Sequence, residues 1–489
     1  MSDSAVGEAR MLINGELVDA ESGATYDNIS PTFETVLGQT ADATPADVDR
    51  AIEAARAAFD TTDWSTDHAV RLQHLRRFAD GIQAAADTVF RPQIIAEGGQ
   101  PHMVTLGPGL DEPLAHLDWV LETMENFEWH RDLPNVLAQG IDSKRQVWRE
   151  ATGVVAAITP WNFPVQTNLA KIFPALAAGN TVVLKPAPDT PWAATALGKI
   201  AVEAQLPPGV FNVVTASDPA EIGEVLCSDP RVDMVTFTGS TAVGKRIMSV
   251  ASDTVKKVFL ELGGKSALIL LEDANLDIAA LHSLAVCFHA GQGCAIPTRM
   301  LVHRSRYQEA VEMLTPIFQG MTYGDPSDPQ YMMGPVINRN QYHKILGMIE
   351  LGVEEGATLV AGGKAATEPA TGYFIEPTLF TDVDNSMSIA QHEIFGPVLV
   401  MIPFEDDNDA VKIANDSIYG LSGAIHSADK ERALAMARRI RTGTLSINGA
   451  GFFGPDAPFG GYKQSGNGRE MGLEGLMEYM EVKTVGCPA

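Results

Sequence analysis

Cys294 stands in Phe288-His289-Ala290-Gly291-Gln292-Gly293-Cys294-Ala295-Ile296-Pro297-Thr298-Arg299, one thiol among glycines that allow a substrate to approach the backbone closely. Cysteine attacks as its thiolate, so a thiol meant for chemistry wants partial exposure and an electropositive setting, such as a helix start or a nearby cation. A lone cysteine is more often a small buried hydrophobe. Two other segments change its weight. Thr159-Pro160-Trp161-Asn162-Phe163-Pro164 follows one apolar run and supplies an amide, and Leu260-Glu261-Leu262-Gly263-Gly264-Lys265 closes another and supplies a carboxylate.

The elements that must position these groups follow a regular rhythm from residue 153 onward. Gly153 to Ile158, Thr181 to Leu184, Phe211 to Val214, Val232 to Phe237 and Lys257 to Leu262 read as strands. Val165 to Ala178, Pro191 to Ala204, Pro219 to Leu226 and Thr241 to Ala251 read as the helices between them. Short apolar runs alternating with helical patterns predict a parallel sheet wrapped by helices, with ligands at the carboxyl ends of the strands. Asn162, Lys185, Ser240 and Glu261 fall at such ends. Pro45 to Phe59 and His68 to Phe90 read as further amphipathic helices. A second rhythm, with strands at Ser266 to Leu271, Met300 to Val302 and Val398 to Pro403, predicts a second α/β unit carrying Cys294.

With Lys185-Pro186, Phe237-Thr238-Gly239-Ser240-Thr241-Ala242-Val243-Gly244, Glu393-Ile394-Phe395-Gly396-Pro397 and Pro458-Phe459-Gly460-Gly461-Tyr462-Lys463-Gln464-Ser465-Gly466, the three segments resemble the aldehyde dehydrogenase superfamily. The resemblance runs in family order from the first third of the chain to its C-terminus. It implies an α/β fold with a doubly wound parallel-sheet coenzyme domain at 1–128 and 152–262, and a second α/β catalytic domain at 263–461. A small β oligomerisation arm is implied at 129–151 and 478–489, with 462–477 as a returning linker and helix. The arm would add a strand to a partner subunit, making a homodimer or homotetramer.

The resemblance also implies a chemistry. Thiolate attack by Cys294 makes the aldehyde carbon tetrahedral, so that hydride can leave it. The Asn162 side-chain amide and the Cys294 backbone N–H would hold the oxyanion, donors worth roughly 3 to 4 kcal/mol each when well placed. Glu261, with its pKa raised by desolvation, would deliver water to the thioester. CoA-acylating relatives generally lack this glutamate, so the expected enzyme is hydrolytic and NAD(P)-dependent. Lys171, further along the helix after Asn162, joins the catalytic set as a site-proximal lysine.

For the coenzyme, Gly239 and Gly244 enclose four residues, which is not the G-x-G-x-x-G spacing. In the family this segment opens a helix whose first amides and Ser240 meet the pyrophosphate. Lys185 would bond the adenosine ribose, Glu393 the nicotinamide ribose, and Phe395 would pack near the nicotinamide; Ile158, Pro160, Trp161 and Leu262 complete the set. Pro188 stands three residues after Lys185, where many NAD-preferring relatives carry glutamate. It offers neither acceptor nor charge, while Asp189 could swing in. NAD is expected as cofactor, with NADP as a second substrate.

Phe163, Thr167 and Ala170, with Phe453 and Phe459, are expected to line a roomy, uncharged, partly aromatic tunnel for medium to large apolar or aromatic aldehydes. His289 and Ala216 depart from common family residues and are expected to stand clear of the chemistry. Two alternatives keep the fold but not the reaction: a thiol-dependent esterase and a catalytically silent binding protein.

Bulk properties fit this frame. The 489 residues exceed one ordinary domain, and 62 acidic against 35 basic residues give a net charge of -27. Such a surface argues against nucleic acid or an anionic membrane as partner, because both are negative, and reads as the acidic exterior of a salt-adapted or high-GC source. The four cysteines, at 227, 287, 294 and 487, form neither CxxC nor a zinc-type cluster, so no metal is expected and a reducing cytoplasm fits. Met1 to Glu8 lacks the basic start and apolar core of a signal peptide. No apolar run reaches the ~18 residues of a membrane helix.

Overall fold

The structure, a computed structural model, describes residues 7–489, so Met1 to Val6 of the stretch read for a signal peptide lies outside the described residues. One sheet runs in the order Glu16–Val18, Met11–Ile13, Phe211–Val213, Thr181–Lys185, Val154–Ile158, Met234–Thr238, Lys257–Glu261 and Gly466–Asn467. Its five central strands are parallel and its outer ones antiparallel. Taken in chain order, the parallel strands sit 3-2-1-4-5, so the winding reverses between Val154–Ile158 and Met234–Thr238. Open α/β sheets bind ligands in the crevice at that reversal, beyond the carboxyl ends.

Burial explains why these strands are apolar throughout instead of alternating. Val154–Ile158, Thr181–Lys185 and Met234–Thr238 are buried at every position, with hydrophobic cores on both faces of the sheet. On one face lie the helices Pro164–Ala177 and Trp192–Glu203, and on the other Pro45–Thr61, Pro219–Ser228 and Thr241–Ala251.

A second, seven-stranded sheet runs Thr358–Ala361, Thr378–Thr381, Val398–Phe404, Pro297–His303, Ser266–Leu270, Gly423–His426 and Ser446–Ile447, parallel except for its first strand. It has its own core. A third sheet pairs Met480–Pro488 with Ile141–Ala151, and that strand with His130–Ala138.

One sequence expectation needs revision. The helix expected over His68 to Phe90 ends at Ala84, and a π-helical turn, Ala86–Phe90, leads into Arg91–Gly98. Pro92 lacks an N–H and is tolerated only in a first turn, which forces a fresh helix start there. The stretch 462–477, expected as a returning linker and helix, holds the helix Gly472–Glu478 and has a short strand before it. Gly466–Asn467 adds an edge strand opposite Leu260 and Glu261. The Ser465 hydroxyl joins the two sheets by donating to the Gly263 carbonyl at 2.6 Å and accepting from the Gly420 N–H at 2.9 Å.

Candidate active site

Each reactive side chain stands at a break in regular structure. The chain leaves Val154–Ile158, crosses Thr159 to Phe163 and enters the helix Pro164–Ala177, whose proline in the first turn costs no hydrogen bond. Asn162 lies in this crossing and is only 5% exposed. Its backbone oxygen accepts from Gln100 Nε2 at 2.6 Å and from His289 Nε2 at 2.9 Å, and its side-chain Nδ2 donates to the Gln292 carbonyl at 2.9 Å. Glu261 is the last residue of Lys257–Glu261, in register with Thr238 on one side and Gly466 on the other. Before Cys294 the backbone turns through three successive left-handed residues, His289, Ala290 and Gly291, with φ of 48°, 52° and 72°. Such conformations cost of order 1–3 kcal/mol at non-glycine residues and persist where their surroundings over-determine them. Here Gly291 is pressed on the 393–397 segment, so that a Cβ would strike the Gly396 carbonyl oxygen.

Two cavities meet at this point. One, of about 370 Å³, is walled by Phe163, Thr167, Phe452, Phe453 and Phe459, with the carboxylates Glu112 and Glu470. The other, of about 190 Å³, is walled by Pro160, Trp161, Gly239, Ser240, Leu262, Lys344, Glu393 and Phe395. Asn162, Thr238, Glu261 and Cys294 belong to both. A molecule bound on one side and a molecule bound on the other would therefore share one amide, one carboxyl and one thiol.

The electrostatics are those of crowded carboxylates. Burial, then Glu470, pushes the Glu261 carboxyl well above the usual carboxylate range, while Lys171 opposes the rise and Glu393 adds to it. The Cys294 thiol is also pushed up, by burial and then by Glu261, Glu393 and Glu470. The electropositive setting expected for this thiol is absent, and its physical substitute is a neighbouring base. Glu261, its Oε1 without a hydrogen-bond partner among the described residues, stands next to the thiol and can take its proton. Among the described residues, no cluster of His, Cys, Asp and Glu is arranged to hold a metal ion.

A model of the aldehyde dehydrogenase family matches residues 17–485. The chain belongs to this family. It is 40% identical to a 3-succinoylsemialdehyde-pyridine dehydrogenase of a Pseudomonas species over 97% of each chain. Among solved structures, a betaine aldehyde dehydrogenase of Staphylococcus aureus in complex with NAD+ matches with a TM-score of 0.95 at 34% identity, covering 99% of this chain and 96% of that one. An indole-3-acetaldehyde dehydrogenase of P. syringae in complex with NAD+ and IAA matches with a TM-score of 0.94 at 37% identity, covering 99% and 97%.

Within this aldehyde dehydrogenase, most of the residues singled out from sequence fall on the two cavity walls, and six do not: Lys171, Ala170, Gly244, Ile158, Lys185 and Pro188. Lys171 touches neither cavity: fully buried, it pairs with Glu470 at 2.7 Å, bonds Thr236 Oγ1 at 3.2 Å and lies 4.9 Å from the Phe259 ring centre. Its charge opposes the upward push on the Glu261 carboxyl. Ala170 faces a separate small apolar pocket with His116, Leu117 and Phe173, because three residues beyond Thr167 the helix has carried it behind the wall. Gly244 sits in the helix Thr241–Ala251 beneath Leu262, where a Cβ would collide with that side chain. Ile158 is buried at a strand end. Lys185 is 1% exposed, bonds the Pro186 carbonyl at 3.2 Å and is pushed down to about 8 by burial.

Three further expectations change. The chamber is not uncharged, since Glu112, Glu261 and Glu470 line it. His289 does not stand clear of the chemistry, since it fixes the Asn162 backbone, whereas Ala216 simply packs in the core. Asp189 is not free to swing, because Asn338 Nδ2 holds it at 2.9 Å while Asn338 also caps the helix Arg339–Glu354. Thr238 and Gln292 lie inside the motifs that carry the family resemblance and Glu470 lies just past one, so proximity in sequence is a usable signal for them. Gln100 has none: only folding brings it to Asn162.

Proposed function

We propose that this chain oxidises aldehydes to carboxylic acids with NAD, through a covalent intermediate on Cys294. The observation that carries the proposal is the shared wall: thiol, carboxyl and amide stand where the two cavities join. Glu261 takes the thiol proton, and the thiolate attacks the aldehyde carbon to form a thiohemiacetal. The second Nδ2 proton of Asn162 and the Cys294 backbone N–H hold the oxygen as it gains charge. NAD held in the second cavity would supply the hydride acceptor, and loss of hydride from the thiohemiacetal carbon would leave a thioester on Cys294. Once Glu261 has passed the thiol proton to solvent, it takes a proton from water as that water attacks the thioester, releasing the acid and the thiolate. Lys171 and Glu470 set how readily Glu261 holds that proton.

The second cavity suits the nicotinamide and phosphate end of a dinucleotide. Ser240 caps the helix Thr241–Ala251 and leaves its first amides beside the cavity, the kind of site that takes phosphate. Glu393 offers a carboxylate for ribose hydroxyls, and Leu262, Phe395 and Trp161 give a flat apolar wall, the two rings packing edge to face at 5.4 Å. Lys185 and Pro188, lying apart from this cavity, would meet the adenosine ribose. With no carboxylate at Pro188, NADP serves as a second, weaker substrate.

The four phenylalanines favour an apolar or aromatic aldehyde, and the carboxylates disfavour a carboxylate-bearing one. The pyridine- and indole-bearing aldehydes named for two relatives have bodies of that kind. The units 1–128 with 152–262, and 263–461, divide coenzyme from catalytic work, and the arm 129–151 with 478–489 joins subunits into a homodimer or homotetramer. No helix among the described residues is long and apolar enough to cross a membrane. Four scattered cysteines without a CxxC pair support a cytoplasmic place for the enzyme.

Stopped-flow mixing with NAD or NADP over an aldehyde panel tests this. Octanal and benzaldehyde should give reduced coenzyme with higher kcat/KM than betaine aldehyde or a carboxylate semialdehyde. Silence over the whole panel would overturn the activity, and the reverse order the substrate class.

A further inference from the structure

His282 lines the same 370 Å³ cavity as Cys294, a wall to which Ile296, Pro297, Ser422 and Gly423 also belong. It is the only imidazole on that wall among the described residues. It comes from the helix Leu276–Ser283, and its Nδ1 lies 3.1 Å from Nε2 of His426, the last residue of the strand Gly423–His426. The rings meet edge to face, 5.4 Å between centres. His426 is 1% exposed, and its other nitrogen, Nδ1, is buried without a partner. Burial pushes both imidazoles down, His426 to about 4, so both are neutral at physiological pH.

A neutral imidazole carries one N–H, so the 3.1 Å contact allows two proton arrangements. If His282 Nδ1–H donates to His426 Nε2, the remaining His426 proton must sit on Nδ1, which then becomes a buried N–H with no acceptor. If His426 Nε2–H donates to His282 Nδ1, the orphan His426 nitrogen is a bare lone pair. A buried orphan N–H is the rarer outcome in folded proteins. The second arrangement therefore holds, and it fixes the tautomer of His282 as well. With Nδ1 accepting, the His282 proton sits on Nε2, which takes no protein partner among the described residues.

We infer that the His426–His282 pair presents a fixed N–H donor to the aldehyde chamber, selecting aldehydes whose apolar or aromatic body carries a neutral hydrogen-bond acceptor remote from the aldehyde carbon. Ether, ketone and pyridine-type nitrogen acceptors suit it. A carboxylate does not, because Glu112 and Glu470 line the same chamber and the donor is uncharged. The inference rests on the proposed aldehyde oxidation and concerns only which aldehydes are taken.

The test compares kcat/KM for ω-methoxyalkanals with n-alkanals of equal heavy-atom count, including octanal, in the wild type and in His282→Phe and His426→Phe. A ratio of ratios cancels any general change in turnover. At one chain length the wild type should favour the ether relative to the alkanal, and His282→Phe should lower that preference by roughly two- to tenfold, the range of one neutral hydrogen bond. His426→Phe, which frees the His282 tautomer without changing the chamber wall, should lower it in the same direction, and it carries the comparison should His282→Phe not fold. An unchanged ether-to-alkanal ratio in the variants, with octanal still oxidised, overturns the inference. Failure of the wild type to oxidise octanal or the ethers at all would instead overturn the aldehyde oxidation on which it rests.

Discussion

At the scale of single residues, the proposed mechanism has the Cys294 thiol, set beside carboxylates, hand its proton to Glu261, so the two should act as a unit. Cys294→Ala should abolish dehydrogenation, by several orders of magnitude, while coenzyme still binds in an equilibrium titration. Glu261→Gln should give a first-turnover burst of NADH and then turn over slowly, with acyl-enzyme visible by intact mass; near-normal steady turnover in either variant contradicts the mechanism. The pH profile follows from the same geometry. Glu261 works as its carboxylate, and its pKa is raised, so activity should climb with pH along a limb lying above the usual carboxylate range. Removing the negative neighbour in Glu470→Gln should move that limb to lower pH, and removing the positive one in Lys171→Met should move it to higher pH. Shifts in the same direction, or none, would show that the pair does not act on Glu261. For coenzyme choice, Pro188→Glu should lower KM for NAD and suppress NADP use. A charge-assisted bond of roughly 1.5–3 kcal/mol corresponds to about ten- to a hundredfold. Wild-type preference for NAD above about a thousandfold would mean that another residue enforces the choice.

At the scale of elements, Glu261 is held by a strand flanked on both sides, and one of the flanks is two residues long. Gly466 pairs with Glu261 at φ 125° and ψ -172°, a region open essentially to glycine, and a Cβ there would strike the Leu260 carbonyl. Gly466→Ala should therefore cost at least about 1–3 kcal/mol in strain, seen as a lower melting temperature, and should reduce kcat by shifting the strand end that carries Glu261. Unchanged melting and turnover would mean that this edge strand does not position the base. The helix after Asn162 shows how an element limits inference from spacing. Phe163 and Thr167 do reach the chamber, but Ala170 is carried behind it, because which residues of a face touch a cavity depends on where the cavity ends.

At the scale of the whole molecule, the strand Met480–Pro488 pairs residue by residue with Ile141–Ala151. This small sheet leaves Leu137, Ile141 and Val482 exposed, at 72%, 53% and 62%. Apolar side chains left open in that way suit contact with another subunit. Ending the chain after Tyr479 should give a monomer by light scattering and a lower melting temperature; an unchanged oligomer would place the interface elsewhere. The alternation of strands and helices and the order of the family motifs are legible in the chain alone, because strands buried on both faces must be continuously apolar and backbone turns demand glycine and proline locally. The thiol, amide and carboxyl of the site are legible there too. What surrounds them comes from long-range packing: Lys171 meets Glu470 behind the chamber, Gln100 and His289 pin Asn162, Asn338 restrains Asp189, and His282 meets His426. Contacts between residues tens to hundreds of positions apart leave no periodic trace in the chain. They arise from packing the two sheets and the returning segment together, and the charges and hydrogen bonds of the site are set there.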